Sequence, residues 1–342
     1  MSGGRETLLG LFPEELNDSL ELEKGFRGRQ LFRRLHLEGS RSFEEMTELP
    51  AALRRRLDEQ IGSPLVGRVV ASTSDEDGTV KLALQSQDDI PVECVLLQDR
   101  QGRKTACLSS QIGCGMGCRF CRTAEMGFYR QLSAGEILEQ LAHLRELYGK
   151  IDNVVFMGMG EPLANLPRVQ KAVELMRHRE GLGMSLRRIT VSTCGLVDGI
   201  RRLTEEGPRV RLALSLITAD QKKREELMPI AAANPLPRLY EALADYRSVH
   251  KRRITLEYVA IGGVNTGTGD AEKLAAFAKP LRAQVNIIPW NPVDGLPFKE
   301  PSRDELHRLI AAVEELGIPV SRRLTRGRGV NGACGQLATG LG

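Results

Sequence analysis

Ala106-Cys107-Leu108-Ser109-Ser110-Gln111-Ile112-Gly113-Cys114-Gly115-Met116-Gly117-Cys118-Arg119-Phe120-Cys121 is the stretch from which the rest of the chain is read. It holds four of the seven cysteines, and Cys114, Cys118 and Cys121 are spaced C-x3-C-x2-C. Thiolates so placed on a glycine-bearing loop can fold round one soft metal centre. Iron–sulfur clusters usually take four cysteines. Three leave one iron open to another ligand, and an open metal position is where chemistry happens. Zinc is the competing reading, but it wants four ligands. No second C-x-x-C and no H-x3-H occurs in the 342 residues, and the five histidines are scattered over helical text.

Upstream of this stretch the sequence falls into two parts. Residues 1–18 carry little pattern, whereas Ser19 to Ile61 reads as helical. Phe26, Leu31, Phe32 and Leu35 share a face, and Phe43, Met46, Leu49, Leu53 and Leu57 continue the spacing beyond Gly39-Ser40. Pro50 suits a helix start. From Pro64 the text changes to short strands, Val66–Ala71, Thr79–Leu84 and Pro91–Leu97, separated by turn signals such as Asp75-Glu76-Asp77-Gly78.

Downstream, strand and helix signals alternate. Strands are expected near Thr105–Ser110, Ile151–Met157, Ile189–Val191, Arg209–Ser215, Ile254–Val259, Val285–Ile288 and, at an edge because of Pro319, Ile318–Val320. Capping boxes at Ser133…Glu136 and Ser302…Glu305 open helices through Tyr148 and Leu316. Six or seven strand–helix units argue for parallel strands with helices outside, and fall short of the eight of a closed barrel. The expected fold is therefore α/β, a partial, open β/α barrel in preference to a doubly wound sheet. It carries a small helical N-terminal domain (1–63) and a short antiparallel β extension (64–104) ahead of the barrel and C-terminal loop (105–342). In either fold, active residues belong on the loops after strands. The cysteine loop sits there, and so does Gly158-Met159-Gly160-Glu161-Pro162-Leu163 after the next strand, where glycines let a ligand approach the backbone.

Bulk properties describe an ordinary globular protein, with 41% hydrophobic and 27% charged residues. No run of 18 apolar residues is present. The N-terminus lacks the apolar core of a secretory signal. No membrane association and a cytoplasmic location, with thiols kept reduced for metal or redox work, are the expectation. The net charge of +4 is modest, but basic residues cluster at Lys24, Arg27, Arg29, Arg33 and Arg34, at Arg54–Arg56, at Lys251–Arg253, and at Arg322, Arg323, Arg326 and Arg328. Such clusters attract phosphate backbones, although solvated helix faces are the commoner origin. Aromatics at 4% exclude an extended base-stacking platform.

The cysteine triplet with its trailing Phe120, the Gly158–Leu163 segment and the partial barrel resemble the radical S-adenosylmethionine superfamily. Further segments narrow the match. Thr105–Cys114, Cys121-Arg122-Thr123-Ala124-Glu125-Met126-Gly127-Phe128, Pro289-Trp290-Asn291-Pro292 and Ala333-Cys334-Gly335-Gln336-Leu337 resemble the RlmN/Cfr family of radical RNA methyltransferases. Thr123-Ala124 and Gly127-Phe128 are closer to RlmN. The resemblance runs from about Gly25 almost to the C-terminus.

It implies a [4Fe–4S] cluster on Cys114, Cys118 and Cys121, whose open iron binds S-adenosyl-L-methionine. Cofactor contacts fall on Gly160, Glu161, Ser192, Ser215, Leu216, Ile217 and Asn291. By the same resemblance Cys334 would be S-methylated, and a 5′-deoxyadenosyl radical would take hydrogen from that methyl. The methylene would then add to an adenine carbon, and Cys107 would release the product through a transient disulfide. Glu93 would accept a proton. The implied reaction is methylation of adenosine C2 in 23S rRNA, with tRNA as a further substrate and C8, as in Cfr, as the alternative. Implied with it are an electron donor such as flavodoxin or ferredoxin and a monomeric enzyme. A radical enzyme of this mechanism on another RNA, or a non-enzymatic metal-clipped RNA-binding protein, would be the other readings. The chain departs from the pattern in three places. Ile217 stands where histidine is common, one additional residue separates Glu93 from Cys107, and Arg328-Gly329-Val330-Asn331-Gly332 replaces an acidic lead-in to Cys334. Cys94 and Cys194 carry no such role and are read as structural.

Overall fold

The computed structural model describes residues 6–322 and 326–338; Arg323 of the last basic cluster lies outside them. The N-terminal part has a 3₁₀ turn at Leu8–Gly10 followed by α1 (Pro13–Ser19), α2 (Phe26–Arg33) and α3 (Ala51–Ile61). Helix α2 widens over Arg34–Glu38 and stops at Gly39, which takes the left-handed conformation. Helical structure thus begins earlier than the sequence pattern suggested. Phe43, Met46 and Leu49 are buried but lie in successive turns, not a helix. Turns closed by Met46 N–H on Phe43 and Leu49 N–H on Met46 bury every third residue, which imitates helical spacing. Phe32 stacks on His36 and meets His178 edge-on, with ring centroids 4.1 and 4.7 Å apart. Arg145 donates to the His36 carbonyl at 2.6 Å. The helices are thereby packed onto the body of the protein.

The antiparallel part consists of β1 (Arg68–Ser74), β2 (Val80–Gln85), β3 (Pro91–Gln98) and β4 (Lys104–Cys107). A two-stranded ribbon follows, β5 (Gln111–Gly113) with β6 (Phe128–Gln131), bracketing the cysteine loop and the short α4 (Arg122–Glu125). No pattern along the chain announces this ribbon. Next come α5 (Ala134–Tyr148), β7 (Asn153–Phe156), α6 (Leu166–Arg177), β8 (Ile189–Thr193), α7 (Val197–Glu206) and β9 (Arg211–Ser215). The chain continues through α8 (Gln221–Leu227), α9 (Leu236–His250), β10 (Thr255–Ala260), α10 (Thr268–Leu281), β11 (Gln284–Pro289), α11 (Arg303–Glu315) and β12 (Val320–Arg322). Both expected capping boxes form, the Ser133 and Ser302 hydroxyls accepting from Glu136 and Glu305 N–H at 3.1 and 3.2 Å.

The spatial order β1-β2-β3-β4-β7-β8-β9-β10-β11-β12 distinguishes the two candidate architectures. From β4 onward every neighbouring pair is parallel. The order never reverses, so every crossover steps the same way and there is no switch point of the doubly wound kind. Such a sheet curls into a barrel wall. Among the described residues β12 pairs only with β11, so the barrel is open. The antiparallel strands extend the same sheet from β4, which places Glu93 and Cys107 on adjoining strands, with Val95 opposite Cys107. No helix of the described residues is long and apolar enough to cross a membrane.

Candidate active site

The cysteine loop emerges from the carboxyl end of β4 and is held by buried polar groups. The Ser109 hydroxyl donates to the Glu93 carbonyl at 2.5 Å and accepts from Met159 N–H at 2.8 Å. The Gln140 side chain brackets the Ser109 backbone, accepting from its N–H at 2.8 Å and donating to its carbonyl at 3.0 Å. The β5–β6 ribbon closes the base, Cys114 N–H reaching the Gly127 carbonyl at 2.8 Å. From the far side Arg119 N–H donates to the Leu227 carbonyl at 2.9 Å. The Trp290 indole donates to the Phe120 carbonyl at 3.1 Å.

Cys114, Cys118 and Cys121 line one wall of an open cleft at the carboxyl ends of β7–β11. Burial pushes the Cys114 thiol up to about 12 and those of Cys118 and Cys121 up as well. Buried thiols of this kind are inert until a cation makes their thiolates affordable in the apolar wall. Among the described residues no three His, Cys, Asp or Glu side chains converge as one metal ion requires. A cluster makes no such demand, since each thiolate takes a different iron. The donor set therefore fits an iron–sulfur cluster and does not fit a single zinc ion.

The opposite wall contains Gly158, Gly160, Glu161, Ser192, Ser215 and Ile217. Gly160 adopts φ +92°, and a Cβ there would stand 2.4 Å from Gln111 Cβ, so only glycine fits at this point of the lining. Glu161 is less available than its position suggests. Its carboxylate accepts from Leu163 N–H at 3.0 Å and Cys194 N–H at 2.8 Å, so it braces the ends of β7 and β8. Burial raises its carboxyl, against the pull of those N–H groups. Ser192 and Ser215 sit side by side with hydroxyls 3.5 Å apart. Ile217 takes φ +64°, a conformation that costs a β-branched residue free energy. Asn265 fixes it there, donating to its carbonyl at 2.8 Å. Leu216 is fully buried and is not among the residues lining the cleft.

Cys334 borders this cleft and also a neighbouring cavity of about 540 Å³, whose wall includes Cys107, Asn291 and Arg326. The structure therefore brings together two thiols 227 positions apart, one buried on β4 and one exposed on the C-terminal loop. Asn291 stands with this pair, its amide donating to the Cys334 carbonyl at 3.2 Å. Glu93 lines neither cavity; it is buried 3.0 Å from Lys81 Nζ. Burial pushes its carboxyl up while the Lys81 ammonium pulls it down.

Sequence reasoning missed what holds the Cys334 loop. Asp77 and Asp75, at the tip of the β1–β2 hairpin, accept from Gly327 and Gly329 N–H at 3.0 and 2.9 Å. Thr123 donates to the Leu337 carbonyl at 2.5 Å, and Arg122 N–H to the Gly335 carbonyl at 2.8 Å. Only the placement of Thr123 and Arg122 straight after Cys121 hinted at this.

Comparison with known proteins agrees with this architecture. Residues 108–277 match the model of the radical SAM superfamily. Residues 7–62 match that of the ribosomal RNA large subunit methyltransferase N-terminal domain. A probable dual-specificity RNA methyltransferase RlmN of Treponema pallidum subsp. pallidum is 44% identical over 335 residues, 98% of each chain. A protein of the same description from Thermus thermophilus is 42% identical, over 97% of this chain and 92% of its own. The crystal structure of a radical SAM methyltransferase from Sphaerobacter thermophilus superimposes with a TM-score of 0.93 at 36% identity, covering 98% of this chain and all of that one.

Proposed function

The chain belongs to the RlmN family of radical S-adenosylmethionine RNA adenine methyltransferases, and from that premise we propose that it methylates C2 of an adenosine in 23S rRNA and also acts on tRNA. The observation that carries the reading is the shared cavity of Cys107 and Cys334 beside a three-thiol cleft. The proposed cluster ligands are Cys114, Cys118 and Cys121. Gly160, Glu161, Ser192, Ser215, Leu216, Ile217 and Asn291 would shape the S-adenosylmethionine site. Within that set Leu216, buried behind the cleft with its carbonyl held by Arg224, would act by fixing the end of β9, Glu161 as a brace, and Asn291 by holding Cys334. When bound, the cluster and S-adenosylmethionine supply the electron, the methyl group and the hydrogen-abstracting radical.

The chain's own residues do the rest. Cys334, on a loop tethered at both ends, carries the methyl group to the base as a thioether. Polarizable sulfur supports the methylene that adds to the adenine carbon. Glu93, whose carboxyl burial raises, would take the proton that the substituted adenine carbon loses, with the odd electron passing back to the cluster. The Cys107 thiolate then attacks the Cys334 sulfur. An S–S bond forms, the C–S bond breaks, and its electron pair stays with carbon, which is protonated to the methyl product.

RNA would dock on residues 1–63, where Arg29 and Arg33 lie one helical turn apart on α2 and are exposed, as are Lys24 and Arg55. Residues 64–104 would carry the acceptor loop and residues 105–342 the radical chemistry. The enzyme would act as a cytoplasmic monomer drawing electrons from a flavodoxin or ferredoxin.

The test is anaerobic reconstitution followed by reductant, S-adenosylmethionine and unmodified rRNA or tRNA, with mass spectrometry of the nucleosides. 2-Methyladenosine is expected; 8-methyladenosine or no product overturns the assignment. A second measurement addresses Glu93. Removing the Lys81 ammonium in Lys81→Met takes away the influence that lowers the Glu93 carboxyl, so that carboxyl rises further. A base must be deprotonated, so the acid limb of the single-turnover pH–rate profile is expected to move to higher pH. An unmoved limb removes Glu93 from the mechanism.

A further inference from the structure

Among the described residues Arg224, on α8, is the largest fully buried side chain. Burying a guanidinium is costly, and buried arginines are ordinarily paired with carboxylates. Among the described residues none pairs with Arg224. Its Nη2 donates to the Cys194 carbonyl at 2.6 Å and its Nε to the Leu216 carbonyl at 3.3 Å. Its Nη1 is buried without a hydrogen-bond partner. Two neutral carbonyls do not balance a full charge in an apolar interior. Burial disfavours its charge, and the Cys194 and Cys118 sulfurs are the ionisable groups that would offset it as thiolates.

Its placement relates this imbalance to the cysteine loop. Helix α8 ends at Leu227, whose carbonyl holds Arg119 N–H between Cys118 and Cys121. Met228, the next residue, lines the cleft beside the three thiols. Pro229 stands about 3.6 Å from where a Cβ on Gly117 would lie. Arg224 thus sits one helical turn behind residues that touch the loop, and Leu216 and Cys194, whose carbonyls it holds, directly follow β9 and β8. A cluster on three thiolates is anionic, and one-electron reduction adds a further negative charge. A fixed cation behind it stabilises the reduced state more than the oxidised one, and low dielectric strengthens that preference.

We propose that Arg224 is the positioning residue that supplies the cluster's counter-charge and raises its reduction potential, so that a cellular one-electron donor can reduce it. The inference rests on the cluster reading of Cys114, Cys118 and Cys121.

The test is a potentiometric titration of the reconstituted protein followed by electron paramagnetic resonance, with iron content measured in parallel, on the parent, Arg224→Lys, Arg224→Gln and Arg224→Met. The glutamine and methionine proteins are expected to bind iron but to have a midpoint clearly more negative than the parent. The lysine protein, which keeps the charge and loses the forked hydrogen bonding, is expected to stay near the parent. A purely structural Arg224 predicts otherwise: all three variants shift together or none shifts, and either result overturns the proposal. Should the neutral variants fail to fold, the lysine protein decides through pH: a midpoint near the parent's at neutral pH that falls below it at alkaline pH, where an ammonium is lost and a guanidinium is not, supports the counter-charge, and a midpoint that stays with the parent's at both, or lies below it at both, overturns the proposal. A parent that takes up no iron overturns the cluster reading and this inference with it; a parent with a cluster and a charge-independent potential overturns this inference alone.

Discussion

Alanine at Cys107 is expected to stop the enzyme after the carbon–carbon bond has formed, leaving RNA joined covalently to Cys334. Resolution needs a second thiol within reach of the thioether sulfur. Cys107 shares a cavity with Cys334 and sits on a strand paired on both sides, with β3 and β7. The attacking sulfur is therefore fixed by the sheet, and the loop that carries Cys334 delivers the adduct to it. Multiple-turnover methylation should fall by about 10³-fold or more, the scale on which loss of an essential covalent group registers. Denaturing electrophoresis after incubation with RNA should show a retarded protein band, and nuclease digestion with mass spectrometry should place a modified adenosine on Cys334. Cys107→Ala combined with Cys334→Ala should give no such band. Normal turnover by the single variant would sink the thiol-pair mechanism.

The parts of this site legible in the sequence were those that depend on short-range chemistry. The triplet spacing, the two capping boxes and the apolar strand runs state their roles within a few residues. What escaped detection depends on long-range placement. Gln111-Ile112-Gly113 and Phe128–Gln131 are too short to show period-two alternation, and only their mutual pairing makes them a ribbon. Asp75 and Asp77 read as a turn, which they are, yet their carboxylates are occupied by a loop some 250 residues later. Arg224 lies in Lys222-Lys223-Arg224-Glu225-Glu226, a run that reads as a solvated face because composition does not reveal which one residue of a charged turn faces inward. Glu161 offers the converse lesson. The resemblance places it among the cofactor contacts, and the backbone N–H groups of Leu163 and Cys194 hold its carboxylate.

Seven cysteines, three of them buried and three half-buried, also invite a test of which ones exist for iron. Cys118→Ala and Cys94→Ala remove the same atom from the interior, and their outcomes should diverge. Cys94 is fully buried on β3, where desolvation pushes its thiol up far enough to keep it a small neutral hydrophobe. Alanine there leaves a sulfur-sized void, for which a cost of about 1–2 kcal/mol in stability is expected, with iron content unchanged. Cys118 occupies the middle of the loop, between glycines and Phe120, and lines the cleft. Losing it leaves two thiolates, too few to retain a cluster that already has one iron without a protein ligand. The reconstituted Cys118→Ala protein should be colourless, should lack the resonance signal of a reduced cluster, and should give no methylated nucleoside. Its RNA affinity should be unchanged, because the exposed arginines of α2 belong to another part of the surface. If Cys118→Ala kept its iron, the triplet would not be the ligand set; if Cys94→Ala lost it, the distinction between structural and ligating thiols drawn from burial and position would be wrong.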